Sequence, residues 1–111
     1  MSSNLLKGMV VLNTRPAHQQ QPLNDAIAAS GGETVSLPLL RIDPLDDPLH
    51  RQQIQDLIMQ LPRCDSLIFV SANAVTFAAP LIKAALGELP YSVMLFAIGQ
   101  STATALQLHF Q

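Results

Sequence analysis

The sequence predicts an α/β fold in which a parallel sheet is flanked by helices. Two observations lead there. Short apolar runs of β-type residues alternate with amphipathic stretches along the whole chain, the order that builds parallel sheets with crossover helices. Three of these runs also stop at short segments of small and hydroxyl-bearing residues, after which a helical pattern begins. These junctions are Thr14-Arg15-Pro16, Ser71-Ala72-Asn73 and Gly99-Gln100-Ser101-Thr102. In open α/β sheets such junctions lie at the carboxyl ends of the strands, where ligands bind.

Met9-Val10-Val11-Leu12 is a continuous apolar run, the pattern of a strand buried on both faces. Pro16 stops it. Residues 17–29 then place Leu23, Ala26 and Ile27 on one helical face with Gln and Asn opposite. Pro22 fits only the first turn of such a helix without cost. Gly31-Gly32 ends it, since glycine accepts the left-handed conformation of a C-terminal cap. Thr34-Val35-Ser36-Leu37 forms a second strand, ended by Pro38.

Residues 40–48 hold Pro44, Pro48 and three aspartates, which reads as a connector and the best place for a domain boundary. A helix over residues 49–61 turns Ile54, Leu57, Ile58 and Leu61 inward, and Pro62 closes it. Leu67-Ile68-Phe69-Val70 is the third strand. The helix over 72–86 buries Val75, Phe77, Leu81, Ile82 and Leu86, with Pro80 expected to kink or divide it. Residues 93–98 form the fourth strand, and a last helix begins at Ser101. It meets the terminus at Gln111 without a capping signal, so the natural protein is expected to continue. Right-handed crossovers bring the strand ends to one side of a sheet covered on both faces.

Composition narrows the function classes. The chain has 111 residues, 49% of them hydrophobic, with no tryptophan. It is long enough for one small domain and short for two. A net charge of -2 with only six scattered Lys and Arg residues leaves no basic stripe for nucleic acid. No apolar stretch reaches the roughly 18 residues of a membrane helix, and the N-terminus lacks a signal-peptide layout. One cysteine, Cys64, permits no intrachain disulfide. The expectation is a soluble, cytoplasmic protein that binds neither nucleic acid nor membrane.

Each junction has two readings. Ser71 is an N-cap whose oxygen satisfies an orphan N–H, and the same positive helix end can also hold a ligand carboxylate. Gly99 lets a ligand approach the backbone closely, with Ser101 or Thr102 as cap; a plain tight turn explains it as well. Arg15 is the only cation at any junction. It is either solvated or paired in a two-pronged fashion with a carboxylate. The segment at Gly99 is neither a dinucleotide fingerprint nor a P-loop, because the glycine spacing and the lysine are missing.

Other candidates carry less. His18, His50 and His109 lack metal-ligand spacing. Asp43, Asp46 and Asp47 lie among prolines without the glycine of a calcium loop, so a solvated linker is expected. Cys64 has no nearby histidine or second cysteine and reads as a buried or inert thiol. Tyr91 precedes a strand and reads as a packing residue. A receiver domain would need clustered acids after the first strand and an aspartate after the third; Asn13-Thr14 and Ser71 stand there instead.

Four segments in register carry a resemblance. Val11-Leu12-Asn13-Thr14-Arg15-Pro16, Leu37-Pro38-Leu39, Leu67 through Val75 and Phe96 through Ala103 resemble the amino-terminal half of the uroporphyrinogen-III synthase family. The resemblance covers nearly the whole chain. It implies two HemD-like, flavodoxin-like α/β lobes with the site in the cleft between them. It implies an enzyme that cyclises hydroxymethylbilane to uroporphyrinogen III, removing the terminal hydroxyl and inverting the last pyrrole ring, with neither metal nor cofactor.

Mapped onto this sequence, residues 1–39 start lobe one, 40–48 form the inter-lobe connector and 49–111 belong to lobe two. Thr14, Arg15, Ser71, Asn73, Gly99, Ser101 and Thr102 would bind substrate carboxylates, largely through the backbone. No catalytic group is identified, and a tyrosine that the family places near its site has no counterpart here. The chain is about half of a two-lobed protein, so it is expected to be a truncated piece, inactive alone. A full-length member is expected to be a monomer, whereas this piece could self-associate. The alternative, of a different class, is a non-catalytic anion-binding or oligomerising module that uses an open sheet edge.

Overall fold

The computed structural model describes residues 4–110. The chain divides into two compact units, Met1–Asp43 and Pro44–Gln111. The architecture is α/β throughout, with a two-stranded parallel sheet in each unit.

In the first unit, β1 (Val10–Asn13) pairs in parallel with β2 (Glu33–Ser36) through the crossover helix α1 (Gln21–Ala29). The register sets Val10 beside Glu33 and Asn13 beside Ser36. The expected first helix is split: a 3-10 turn covers Ala17–Gln19 and α1 proper starts at Gln21. Pro22 therefore falls in the first turn, where its missing N–H costs nothing. Ser30 caps the C-terminus. Gly31 follows at φ 85°, its N–H donating to Ala28 O, and Gly32 N–H donates to Ile27 O. This pair of bonds is a Schellman motif, and only glycine takes that left-handed position without strain. Of the expected inward face only Ile27 is buried; Leu23 and Ala26 remain exposed. Two strands offer too narrow a surface to cover a full helical stripe.

In the second unit, α2 (Pro48–Ile58) is followed by a 3-10 turn at Leu61–Arg63. Then come β3 (Ser66–Phe69), α3 (Ala72–Leu86), β4 (Met94–Ala97) and α4 (Gln100–His109). Strands β3 and β4 are parallel, Phe69 lying beside Ala97. The core joins Ile58, Leu61, Phe69, Val75, Ile82 and Leu106. Leu57, expected inside, is 65% exposed: Ile54 and Ile58 share a face at i, i+4, and Leu61 swings inward only through the 3-10 turn. The buried face of α3 runs through Val75, Ala79 and Ile82, so Leu81 points outward and Phe77 is half-buried. Pro80 neither breaks nor divides this helix. It sits on the exposed side, where the carbonyl one turn earlier can meet water. Phe110 closes the core against Phe69, ring centroids 6.1 Å apart, with the Lys83 ammonium 5.9 Å over its ring.

The expectation of a sheet covered on both faces does not hold. Along each strand, residues alternate between the helix-covered face and an open one. Val11 and Asn13, Leu67 and Phe69, and Leu95 and Ala97 turn inward, while Val10, Leu12, Ile68, Met94 and Phe96 are exposed. A continuous apolar run reads as fully buried in sequence, yet each sheet here has helices on one side.

Candidate functional site

The site starts from where strands stop and helices begin. Because β3 and β4 are parallel neighbours, their junctions lie side by side at one sheet edge. Ile98 N–H donates to Phe69 O at 3.0 Å and continues the ladder to that edge. There α3 and α4 both start, bringing the Ser71-Asn73 and Gly99-Thr102 segments together.

Ser71 is extended and caps α3, its Oγ accepting from Ala74 N–H at 3.1 Å. Asn73 lies in the first turn of the same helix and is half-buried. Gly99 caps α4 at φ 89°, ψ 156°, a backbone region that side chains avoid, and contributes no side-chain cap bond. The expectation that Ser101 or Thr102 caps this helix is thus corrected, for the helix already starts at Gln100. Ser101 is exposed, whereas Thr102 is 2% exposed and packs inward with Leu106. Thr102 therefore has no accessible hydroxyl. An added Cβ at Gly99 would meet nothing within 4 Å, so the space over that turn is open.

The first unit holds Thr14 and Arg15 at the end of β1, both exposed. Their corner is held by a polar bracket that the sequence reading missed. Asn13 is 1% exposed and Gln20 6%. Gln20 Nε2 donates to the carbonyl oxygens of Asn13 at 3.1 Å and Arg15 at 2.9 Å, while its Oε1 accepts from Ser36 Oγ at 2.7 Å. Asn13 Oδ1 accepts from Arg15 N–H at 3.2 Å, and its Nδ2 donates to Asn24 Oδ1 at 2.9 Å. Arg15 Nη1 donates to Gln19 O at 3.1 Å. One guanidinium donor is thereby engaged, and the fork is held beside the helix start. The signal for Asn13 was available in the period-2 alternation that turns it inward with Val11. Gln20 sits in a run of three glutamines, which looks like a solvated face.

After β2 the chain passes beside this corner, Leu39 N–H donating to Thr14 O at 3.2 Å. A cavity of about 350 Å³ lies between residues 16–18 and 38–41, walled by Pro16, Pro38, Leu39 and Leu40, with Arg41 at its margin. Arg41 Nε donates to Asp43 Oδ2 at 2.8 Å. This hydrogen bond and the Asp43 charge raise the guanidinium above its ordinary pKa.

The remaining candidates find ordinary places. Asp43, Asp46 and Asp47 pair with Arg41, Arg51 and His50, and Asp47 is the N-cap of α2. Among the described residues no group of three His, Cys, Asp or Glu is placed to hold a metal ion. No helix among them is long and apolar enough to cross a membrane. Cys64 is exposed rather than buried, its Sγ lying 3.5 Å from Gln60 O. Tyr91 is fully exposed and does not pack.

The chain is 29% identical over 109 residues to a uroporphyrinogen-III synthase of Synechococcus elongatus, an alignment covering 96% of this chain and 39% of that relative. A family model described as uroporphyrinogen-III synthase HemD matches residues 21–110. With most of its length inside that match, the chain belongs to the uroporphyrinogen-III synthase HemD family.

Proposed function

We propose that the chain contributes carboxylate-binding corners to a uroporphyrinogen-III synthase, acting in the cytoplasm on hydroxymethylbilane. The observation that carries this reading is the parallel pairing of β3 with β4, which opens two helix N-termini at one sheet edge. Free amides at helix starts suit anionic groups, and a linear tetrapyrrole with acetate and propionate arms presents many. On this reading Ser71, Asn73, Gly99, Ser101 and Thr102 bind such arms from the second unit. Gly99, Ser101 and Thr102 act through their N–H groups. Thr14 and Arg15 bind from the first unit, with Arg41 beside them at the mouth of the apolar cavity. In lobe terms, residues 1–39 begin lobe one, 40–48 connect and 49–111 belong to lobe two.

The reaction would be cyclisation with loss of the terminal hydroxyl and inversion of the last ring. The departing hydroxyl leaves an azafulvene cation in the substrate, so the work of the protein is to fold the tetrapyrrole and stabilise charge. Amides and guanidinium groups that hold the peripheral carboxylates supply that folding. Such chemistry does not require a conspicuous acid–base dyad.

A binding titration with uroporphyrinogen III tests the proposal. Saturable binding by this chain, weakened about tenfold by Arg15→Ala and again by Arg41→Ala, is expected from the loss of one charge-assisted bond each. Affinity that neither substitution changes would remove the first unit from the site. A chain that binds no tetrapyrrole at all would favour the second reading, a non-catalytic oligomerising module, to which the open apolar sheet faces lend support.

A further inference from the structure

Arg15 is exposed, yet its main chain is fixed from inside the fold. Asn13 Oδ1 accepts its N–H at 3.2 Å, and Gln20 Nε2 donates to its carbonyl oxygen at 2.9 Å. Both amide side chains are buried. Ser36 Oγ donates to Gln20 Oε1 at 2.7 Å, and Asn13 Nδ2 donates to Asn24 Oδ1 at 2.9 Å. These outer bonds fix which end of each amide faces Arg15, since the oxygen only accepts and the nitrogen only donates. Pro16 follows at φ -50°, where the ring locks the next torsion. The turn is thus held on both sides of the Arg15 Cα.

Main-chain bonds already join the ends of β1 and β2, Leu37 N–H donating to Asn13 O at 2.9 Å and Leu39 N–H to Thr14 O at 3.2 Å. Burying two primary amides costs desolvation and rotamer entropy. What they add beyond the sheet is a fixed course for the chain through Arg15. We infer that Gln20 and Asn13 are positioning residues for the Arg15 guanidinium. The inference rests on the reading that Arg15 binds a substrate carboxylate. A two-pronged pair needs two guanidinium nitrogens aimed at one carboxylate, and a loose arginine loses rotamer freedom in making it. Here the Cα is set in advance. The Nη1 bond to Gln19 O at 3.1 Å orients the head and turns the Nε–Nη2 edge to the ligand. Part of the ordering cost therefore falls on folding rather than on binding.

A double-mutant cycle read by titration with uroporphyrinogen III tests the inference on this chain. Gln20→Met should weaken binding about fivefold while Arg15 is present, and by less than about twofold in an Arg15→Ala background. A merely structural role would give equal losses in both backgrounds. In the free chain, the heteronuclear 15N NOE of the Arg15 Nε–H should fall in Gln20→Met toward that of the exposed Arg63. Ser36→Ala lets the amide turn over without removing it, so both effects should recur in smaller measure. Far-UV circular dichroism checks that the variants keep their helices, and if Gln20→Met unfolds, Ser36→Ala carries the same two readouts. An unchanged NOE, or equal affinity losses with and without Arg15, overturns the inference alone. Absence of binding, or an affinity that Arg15→Ala leaves unchanged, overturns the reading beneath it and the inference with it.

Discussion

Gln20 reaches back over the corner that follows β1 and donates its side-chain amide to the carbonyl oxygen of Arg15 at 2.9 Å. The same amide nitrogen serves Asn13 O, and its oxygen receives the Ser36 hydroxyl. One buried side chain thus ties the end of β1, the Arg15 turn and the end of β2. Gln20→Leu is expected to destabilise the first unit by about 2 kcal/mol, since it strands buried acceptors without a donor. Hydrogen exchange at residues 12–15 should accelerate more than at residues 94–97, and equal acceleration in both segments would refute a local bracket.

Ser71 separates capping from ligand binding. Ser71→Ala should cost about 1 kcal/mol in urea unfolding through loss of the cap on Ala74. Ser71→Asp should retain stability, because the carboxylate can cap and favours the helix N-terminus. It should nonetheless weaken binding of any carboxylate at that end. Equal tetrapyrrole affinity in wild type and Ser71→Asp would show that ligand carboxylates do not use this helix start.

At Gly99 the constraint is backbone conformation rather than space. Gly99→Ala introduces a methyl group that meets no neighbour within 4 Å, yet φ 89° with ψ 156° is essentially a glycine-only region, at a cost of about 1–3 kcal/mol. A lower thermal midpoint is expected. A midpoint equal to wild type would mean that the turn relaxes to another conformation.

Asp47 gives α2 a pH dependence. Its carboxylate accepts from the His50 ring and from His50 N–H, and these bonds, the ring contact foremost, hold its pKa below the usual value. A carboxyl more acidic in the folded state contributes stability that is complete above its unfolded value near ~3.9 and is lost as pH falls through the lower folded value. The α2 amide signals in NMR should therefore lose protection below about pH 4, and Asp47→Asn should flatten that loss. An identical acid profile in Asp47→Asn would assign the transition to another carboxyl.

Much of the secondary structure was legible in the residues, because helix and strand differ in hydrophobic period and because caps are local. The helix over 72–86 follows from Ser71 and from the apolar positions Val75, Ile82 and Leu86, and the Gly31-Gly32 stop follows from the left-handed cap. Burial was less legible. Leu57 and Leu81 look like core residues in a periodic pattern, but a face is buried only where another element covers it. Asn13 and Gln20 look like solvated amides for the converse reason, since their partners are main-chain groups brought close by a turn. The junctions themselves could be named from sequence, while the donors that hold the Thr14-Arg15 corner could not.

By itself, the sequence determined the alternation of strand and helix, the positions of the three hydroxyl-bearing junctions and the family likeness they carry. Those properties depend on neighbours a few residues apart and on the side chains that end a strand or start a helix. Tertiary structure alone decided that the strands form two separate two-stranded sheets, β1 with β2 and β3 with β4, and that each sheet leaves one apolar face open. Such pairings are set by which surfaces meet across long stretches of chain, and a list of residues does not record distance.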